Sequence, residues 1–215
     1  QPKWIHYGSS ISHCTEADGP SEVWPAVAAR IADLDVTSMA VGGECHIDQY
    51  VARYVRDTPA AVLSFKLGIN VQVTLVERTF RSAVHGFLDT VRDGHPTTPI
   101  VVASPIWCPG AETQVGPLTF VDGVFHPPEV PTPVPGALTL ELMRSILEEI
   151  VNLRRAEGDE HLHYLHGHEL FGPADEADLP DLLHPNPAGY IRMGERFAEK
   201  VFGDGGLLAG YGITG

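Results

Sequence analysis

Two short runs of almost purely apolar residues, 61–67 and 100–104, constrain the fold of this chain more than any other feature. A strand that is apolar at nearly every position is typical of a parallel sheet covered on both faces, since neither face meets water. Between the runs, residues 74–92 carry apolar side chains at helical spacing. The pattern therefore predicts a strand–helix–strand unit with two parallel strands.

The same alternation extends along the whole chain. Strands are predicted at residues 4–7, 35–41, 61–67, 100–104 and 161–165, and helices at about 21–34, 47–56, 74–92, 138–155 and 187–202. Five strands alternating with five helices predict an α/β protein with a five-stranded parallel sheet wound on both faces. We expect a single domain over residues 1–215, with residues 203–215 as a glycine-rich, flexible tail.

One long segment, residues 109–136, interrupts the alternation after the fourth strand. It is rich in proline and glycine, and residues 120–124 have the pattern of a hairpin. The proline-rich run 127–133 predicts a stiff, extended stretch. An irregular insert at the carboxyl end of a strand is typically a functional loop or lid, so we expect it, with the loop 14–21, to shape specificity.

The net charge of −14 narrows the range of partners. Phosphates would be repelled, which argues against nucleic acid and anionic membranes, and a neutral or cationic small molecule fits better. No apolar run approaches the roughly 18 residues of a membrane span. The chain starts at Gln1 without a visible signal peptide, which fits either a removed leader or a domain of a longer protein, so the compartment stays open.

Cysteines and histidines give no metal pattern. Three cysteines permit at most one internal disulfide, and we expect reduced, buried thiols, with a bridge between Cys14 and Cys45 as the alternative. Two of the four histidines in residues 161–168 would share one strand face, but no carboxylate or cysteine has matching spacing. We therefore expect a solvated strand end and no metal.

Residues suited to nucleophilic catalysis stand at the ends of several predicted elements. Ser10 follows the first strand, Gly43 the second and Asn70 the third, while Asp181 and His184 precede the last helix. Because the carboxyl ends of parallel strands meet at one edge of the sheet, these residues can converge there. A serine becomes a strong nucleophile when a histidine accepts its proton and fixed donors stabilise the oxyanion.

These motifs resemble the four blocks of the SGNH (GDSL-type) hydrolase family. Residues 8–11 match the nucleophile block, residues 42–43 the glycine block, residues 68–70 the asparagine block and residues 181–184 the terminal block. All four occur in the order of the family and span nearly the whole chain. Two positions depart from the family pattern, since Ser9 and Val71 stand where aspartates are usual, which suggests a subgroup and puts the substrate in doubt.

The resemblance implies a three-layer α/β/α sandwich, flavodoxin-like, with sheet order 2-1-3-4-5. It also implies Ser10 as nucleophile, His184 as base and Asp181 as the residue that orients the base. The backbone N–H groups of Ser10 and Gly43 and the side-chain amide of Asn70 would form the oxyanion hole. No cofactor is implied.

Five further residues are candidate substrate contacts near these motifs: Ser9, His13, Glu44, His46 and Trp107. His13 is also an alternative base, because it follows Ser10 by three residues. One helical turn places such residues alongside one another, however, which suits lining the pocket better than removing the Ser10 proton.

The resemblance predicts a serine esterase that hydrolyses a short-chain acyl ester of a sugar or small alcohol through an acyl-enzyme. An acyltransferase with the same residues is the nearest alternative. Two non-catalytic alternatives are a flavodoxin-like flavin-binding module, with residues 8–12 around a phosphate, and an inactive carbohydrate-binding domain. A flavin-binding module would leave Asp181 and His184 unexplained. An inactive carbohydrate-binding domain would leave unexplained why the set of five site residues is intact. The oligomeric state is left open.

Overall fold

A parallel sheet of five strands lies at the centre of the computed structural model, which describes residues 1–130 and 134–213. The strands of the described chain are Lys3–Tyr7 (β1), Asp35–Ser38 (β2), Val62–Lys66 (β3), Ile100–Ala103 (β4), Thr119–Val121 (β5), Val124–His126 (β6) and Leu162–Leu165 (β7). The sheet order is β2-β1-β3-β4-β7, with every neighbouring pair parallel. Since β7 is the fifth strand of this sheet, the predicted order 2-1-3-4-5 is confirmed.

Helices cover both faces of the sheet. Those of the described residues are Ser10–His13 (α1), Trp24–Ala32 (α2), Gln49–Asp57 (α3), Glu77–Gly94 (α4), Leu140–Ala156 (α5) and Pro187–Phe197 (α6). Helix α2 packs on α6, and α4 packs on both α3 and α5. A one-turn π-helix, Ala198–Phe202, continues α6, so the predicted helix 187–202 changes type in its last turn.

The side chains of β1 alternate between the two helical layers. Trp4 stacks on Phe197 of α6, with ring centroids 5.2 Å apart, and Tyr7 stacks on Phe87 of α4 at 5.8 Å. Both β1 aromatics are buried. The strand that leads to Ser10 is therefore fixed from both faces, as expected for a three-layer sandwich.

The predicted hairpin forms, with β5 and β6 antiparallel. Its neighbouring proline-rich run was expected to be extended over residues 127–133, but residues 131–133 lie outside the described residues. Among the residues that the structure does describe, no helix combines the length and apolar character of a membrane span.

Two sequence predictions require correction. Helix α2 begins at Trp24 and not near Ser21, because Val23 is the N-cap and Pro25 occupies the first turn. Residues 203–213, expected to be a flexible tail, pack back on the protein: Leu208 is buried, and the Tyr211 hydroxyl lies 3.0 Å from both His161 Nδ1 and His163 Nε2. The prediction followed the high glycine content of this segment and gave no weight to Leu208 and Tyr211, whose side chains hold it against the protein. Residues 214–215 lie outside the described residues.

Candidate active site

Ser10 is the first residue of α1, directly beyond the carboxyl end of β1. The preceding residue, Ser9, caps this helix, and its Oγ accepts the Ile11 N–H at 3.4 Å. Ser9 is only 1% exposed, so it offers a ligand almost no surface, and its contact with substrate stays a prediction. Ser10 itself is half-exposed, which leaves its hydroxyl accessible to a ligand.

Three predicted catalytic side chains form one hydrogen-bonded chain. Ser10 Oγ lies 2.9 Å from His184 Nε2, and His184 Nδ1 lies 2.7 Å from Asp181 Oδ2. Ser10 and His184 are 174 positions apart in the sequence. They meet because the loop before α6 returns to the end of β1. The geometry allows a neutral imidazole to accept the serine proton while the carboxylate holds its other nitrogen.

Asp181 is held as an ionised carboxylate. Its Oδ1 accepts the backbone N–H groups of Leu183 at 2.9 Å and His184 at 2.6 Å, within a tight turn in which Leu182 has φ of +64°. Burial alone would raise the pKa of Asp181, but the hydrogen bonds from His184 and Leu183 outweigh it and lower the pKa overall. The lowered pKa keeps the Asp181 carboxylate ionised, and the ionised group accepts the hydrogen bond that orients the His184 imidazole.

The side-chain amide of Asn70 has one of its two ends engaged in the fold. Its Oδ1 accepts the Cys45 backbone N–H at 3.0 Å, which fixes the amide so that Nδ2 is the atom left to donate. The residue follows β3, whose register places Phe65 beside Tyr7 of β1. The loops after β1 and β3 are therefore neighbours, as the predicted oxyanion hole requires.

The glycine turn after β2 lies against Ser10. A Cβ added at Gly42 would stand 3.9 Å from Ser10 Cβ and 3.7 Å from His13 Nδ1. Gly43 has φ of +75°, a conformation that favours glycine, and a Cβ there would meet open space. Glycine at position 43 is thus explained by the backbone conformation of the turn, and close approach of another group of the protein is not involved.

The other predicted contacts are distributed around this turn. His13 is exposed beside Gly42, while the position next to Ser10 Oγ is taken by His184, so the geometry favours His184 over His13 as the base. His46 Nε2 lies 3.2 Å from the Gly43 carbonyl and 3.9 Å from Glu44 Oε2. Glu44 is exposed and has room to meet a ligand.

Trp107 does not join the site. Its Nε1 donates to Glu176 Oε2 at 2.8 Å, and its ring packs against the edge of His168. It lines a separate polar cavity of about 580 Å³ that contains His166, His168 and the buried ion pair of Arg144 with Glu112. The prediction that Trp107 contacts the substrate beside Ser10 is therefore not supported by its position.

Phe125 is a site residue that the sequence did not indicate. Its ring meets His184 edge to face, with centroids 5.7 Å apart, and its backbone N–H donates to the Asp181 carbonyl at 2.9 Å. The hairpin pattern predicts that β6 exists but carries no information on which loop it contacts. The insert is thus attached to the loop that bears Asp181 and His184.

The three cysteines are free and buried, so Cys14 and Cys45 are not bridged. Burial raises the pKa of each thiol to about 12, which leaves them protonated and unreactive. Within the described ranges no cluster of three or more His, Cys, Asp or Glu side chains has the arrangement of a metal site.

A parallel α/β sandwich with a serine, histidine and aspartate linked at the carboxyl edge of its sheet defines a class of protein, the serine hydrolases with a flavodoxin-like fold. Comparison with known proteins agrees with this class. Residues 2–108, about half of the chain, match the model of the GDSL-like lipase/acylhydrolase family. This chain belongs to that family, as the four sequence motifs predict.

Solved structures give further similarities. The salicylyl-acyltransferase SsfX3 from a tetracycline biosynthetic pathway is 30% identical over 91% of this chain and 52% of that one, with a TM-score of 0.76. A GDSL-like protein from Bacteroides ovatus is 21% identical over 92% and 51%, with a TM-score of 0.69. The chain thus spans about half the length of these two proteins.

A family two carbohydrate esterase from Clostridium thermocellum, solved with cellohexaose, is 18% identical over 92% of this chain and 62% of that one. Its TM-score of 0.63 shows a common fold. A search among curated proteins found no match.

Proposed function

We propose that this protein is a serine esterase that transfers the acyl group of its substrate to Ser10 and then to water. The observation that carries the proposal is the hydrogen-bonded chain from Ser10 through His184 to Asp181. Membership in the GDSL-like lipase/acylhydrolase family supports it.

In the first step, His184 Nε2 accepts the Ser10 proton while Ser10 Oγ forms a bond to the ester carbonyl carbon. The carbonyl oxygen takes the electron pair and is stabilised by the N–H groups of Ser10 and Gly43 and by Asn70 Nδ2. The imidazolium then gives its proton to the leaving alcohol as the ester bond breaks. Water repeats the sequence on the acyl-enzyme, with His184 again as the base.

Asn70→Ala should lower kcat by about 10²- to 10³-fold with little change in KM, because its amide contacts the charge that develops in the transition state. Steady-state kinetics on an activated ester would measure this. A large rise in KM with kcat intact would instead make Asn70 a ground-state contact. Because Asn70 Oδ1 also accepts the Cys45 N–H, Asn70→Asp is the matched variant. It keeps the acceptor, loses the donor and adds a charge that repels the oxyanion, so it should be at least as slow as Asn70→Ala.

The proposed substrate is a short-chain acyl ester of a sugar or small alcohol. The charge of −14 favours a neutral or cationic molecule. One neighbour of the same fold is described as a carbohydrate esterase. The half-exposed position of Ser10 is compatible with an open cleft that water can enter.

Acyl transfer to an acceptor other than water is the second candidate function. The specific observation in its favour is the 30% identity to a protein described as a salicylyl-acyltransferase. Both functions share the acyl-Ser10 intermediate and differ only in which molecule attacks it. A transferase must exclude or outcompete water at this stage.

Product analysis should distinguish the two functions. With millimolar glycerol, sugar or phenolic acceptors present, we expect free acid as the main product of an activated acyl ester. Chromatographic separation of free acid from acylated acceptor measures the partition directly. Predominant acylation of the acceptor would favour the transferase.

A further inference from the structure

Beneath the nucleophile, a buried polar chain links the core to helix α1. Trp4 Nε1 donates to Ser64 Oγ at 2.8 Å, Ser64 Oγ lies 2.7 Å from His6 Nδ1, and His6 Nε2 lies 2.9 Å from Ser12 Oγ. All four residues are at most 1% exposed. The chain therefore begins on β1, crosses to β3 and ends in the helix that starts at Ser10.

Only one end of this chain has a fixed direction. An indole N–H can only donate, so Ser64 Oγ accepts it. The Ser64 hydroxyl either donates to His6 Nδ1 or accepts a second proton from it, so the direction of both bonds of the His6 ring follows its tautomer. Burial, together with the nearby Lys66 ammonium, lowers the pKa of His6 to about 3, so the imidazole is neutral. A neutral ring with both nitrogens bonded is a fixed connector.

The surroundings leave α1 little freedom to move relative to this connector. A Cβ at Gly8 would overlap Ser12 Oγ and lie 3.0 Å from His6 Nε2, so the backbone at position 8 fits closely over the pair. The His6 and Trp24 rings pack edge to face, with ring centroids 4.7 Å apart. The imidazole is therefore held by packing as well as by hydrogen bonds.

We infer that His6 is a positioning residue for the nucleophile: through Ser12 it sets the rotation and depth of helix α1, and with them the place of Ser10 Oγ relative to His184. This inference rests on the proposed function. A displacement of about 1 Å in a reacting group can cost about 10²-fold in rate. The link from His6 to Ser12 should thus affect kcat more than it affects substrate affinity.

Two amide substitutions separate the two ends of the imidazole. His6→Gln retains a polar atom near the Nε2 position and can still bond Ser12, while His6→Asn retains one near Nδ1 and can bond only Ser64. We expect His6→Asn and Ser12→Ala to lower kcat by about 10- to 100-fold, with KM within about threefold of wild type. His6→Gln should stay within about fivefold of wild-type kcat.

The control for a purely structural effect is Ser104→Ala. Ser104 is also fully buried, and its hydroxyl bonds the Tyr164 hydroxyl and the Gly167 N–H at 2.9 Å. It follows β4, which is separated from β1 by β3. Ser104→Ala should lower the melting temperature as Ser12→Ala does, but it should leave kcat unchanged. A fluorophosphonate provides a second readout, because its rate of reaction with Ser10 should fall in His6→Asn and Ser12→Ala.

The test compares kcat, melting temperature and fluorophosphonate labelling rate among these four variants, with Ser10→Ala measured beside them. If Ser12→Ala loses stability like Ser104→Ala but keeps kcat and the labelling rate, the positioning role is wrong. Equal losses of kcat in His6→Gln and His6→Asn would also overturn it. Should His6→Asn fail to fold, Ser12→Ala alone decides. Activity that persists in Ser10→Ala would overturn the proposed function itself, which is a separate outcome.

Discussion

Replacing Ser10 by alanine is expected to lower kcat on an activated acyl ester by at least about 10³-fold, with the protein still folded. The substitution removes the Oγ that is hydrogen-bonded to His184 Nε2, and it leaves the backbone N–H of residue 10 and the Asn70 amide in place. Residual turnover would reflect those donors and substrate binding alone. Steady-state kinetics, with thermal unfolding as the folding check, measures the effect.

The adjacent serine provides the control. Ser9→Ala removes the helix cap, which should cost about 1 kcal/mol of stability, but it leaves the catalytic chain of side chains intact. A fluorophosphonate should therefore label wild type and Ser9→Ala, with the adduct found on Ser10 by mass spectrometry, and should not label Ser10→Ala. Near-wild-type activity in folded Ser10→Ala would show that another group is the nucleophile.

The second large effect is expected from Asp181→Asn, which should lower kcat by about 10³- to 10⁴-fold. The Asn oxygen would keep the two backbone N–H groups of Leu183 and His184, so the amide nitrogen would take the place of Oδ2. As a donor it would require an unprotonated His184 Nδ1, which moves the ring proton to Nε2. The imidazole would then present a donor to Ser10 Oγ and could not accept its proton.

Asp178→Asn is the matched control for this charge change. Asp178 is also a carboxylate before α6, and its hydrogen bonds from Arg192 and Asn186 lower its pKa despite partial burial. It contacts none of the proposed catalytic side chains, so Asp178→Asn should lose some stability and keep kcat. Equal activity in the two Asn variants would contradict the role of Asp181.

The fold could be predicted because each element has a local signal. The apolar runs 61–67 and 100–104 are strands that are buried along their length, β3 and β4. Residues 181–184 and Ser10 were predicted to converge because parallel strands end at one sheet edge, and they do meet. Four motifs in the family order supplied the roles, which remain proposals.

The remaining features depend on tertiary contacts that no local pattern encodes. Ser9 reads as an exposed serine beside Ser10, but in the fold it is a buried helix cap. Trp107 reads as a pocket aromatic, but its partner Glu176 is 69 positions away and draws it to another cavity. His6 reads as a polar residue in an apolar strand, and its partner Ser64 becomes visible only once β3 pairs with β1.

The hydrogen bond from Phe125 to the Asp181 carbonyl has an evolutionary consequence. The hairpin is the part of this chain best suited to change in length or composition when a new substrate is recruited, since it protrudes with Phe120 and Val121 exposed. Yet its inner strand also supports the loop that bears the histidine. We therefore expect substitutions at the exposed tip to change specificity alone, whereas substitutions at Phe125 would also disturb the loop of the proposed base.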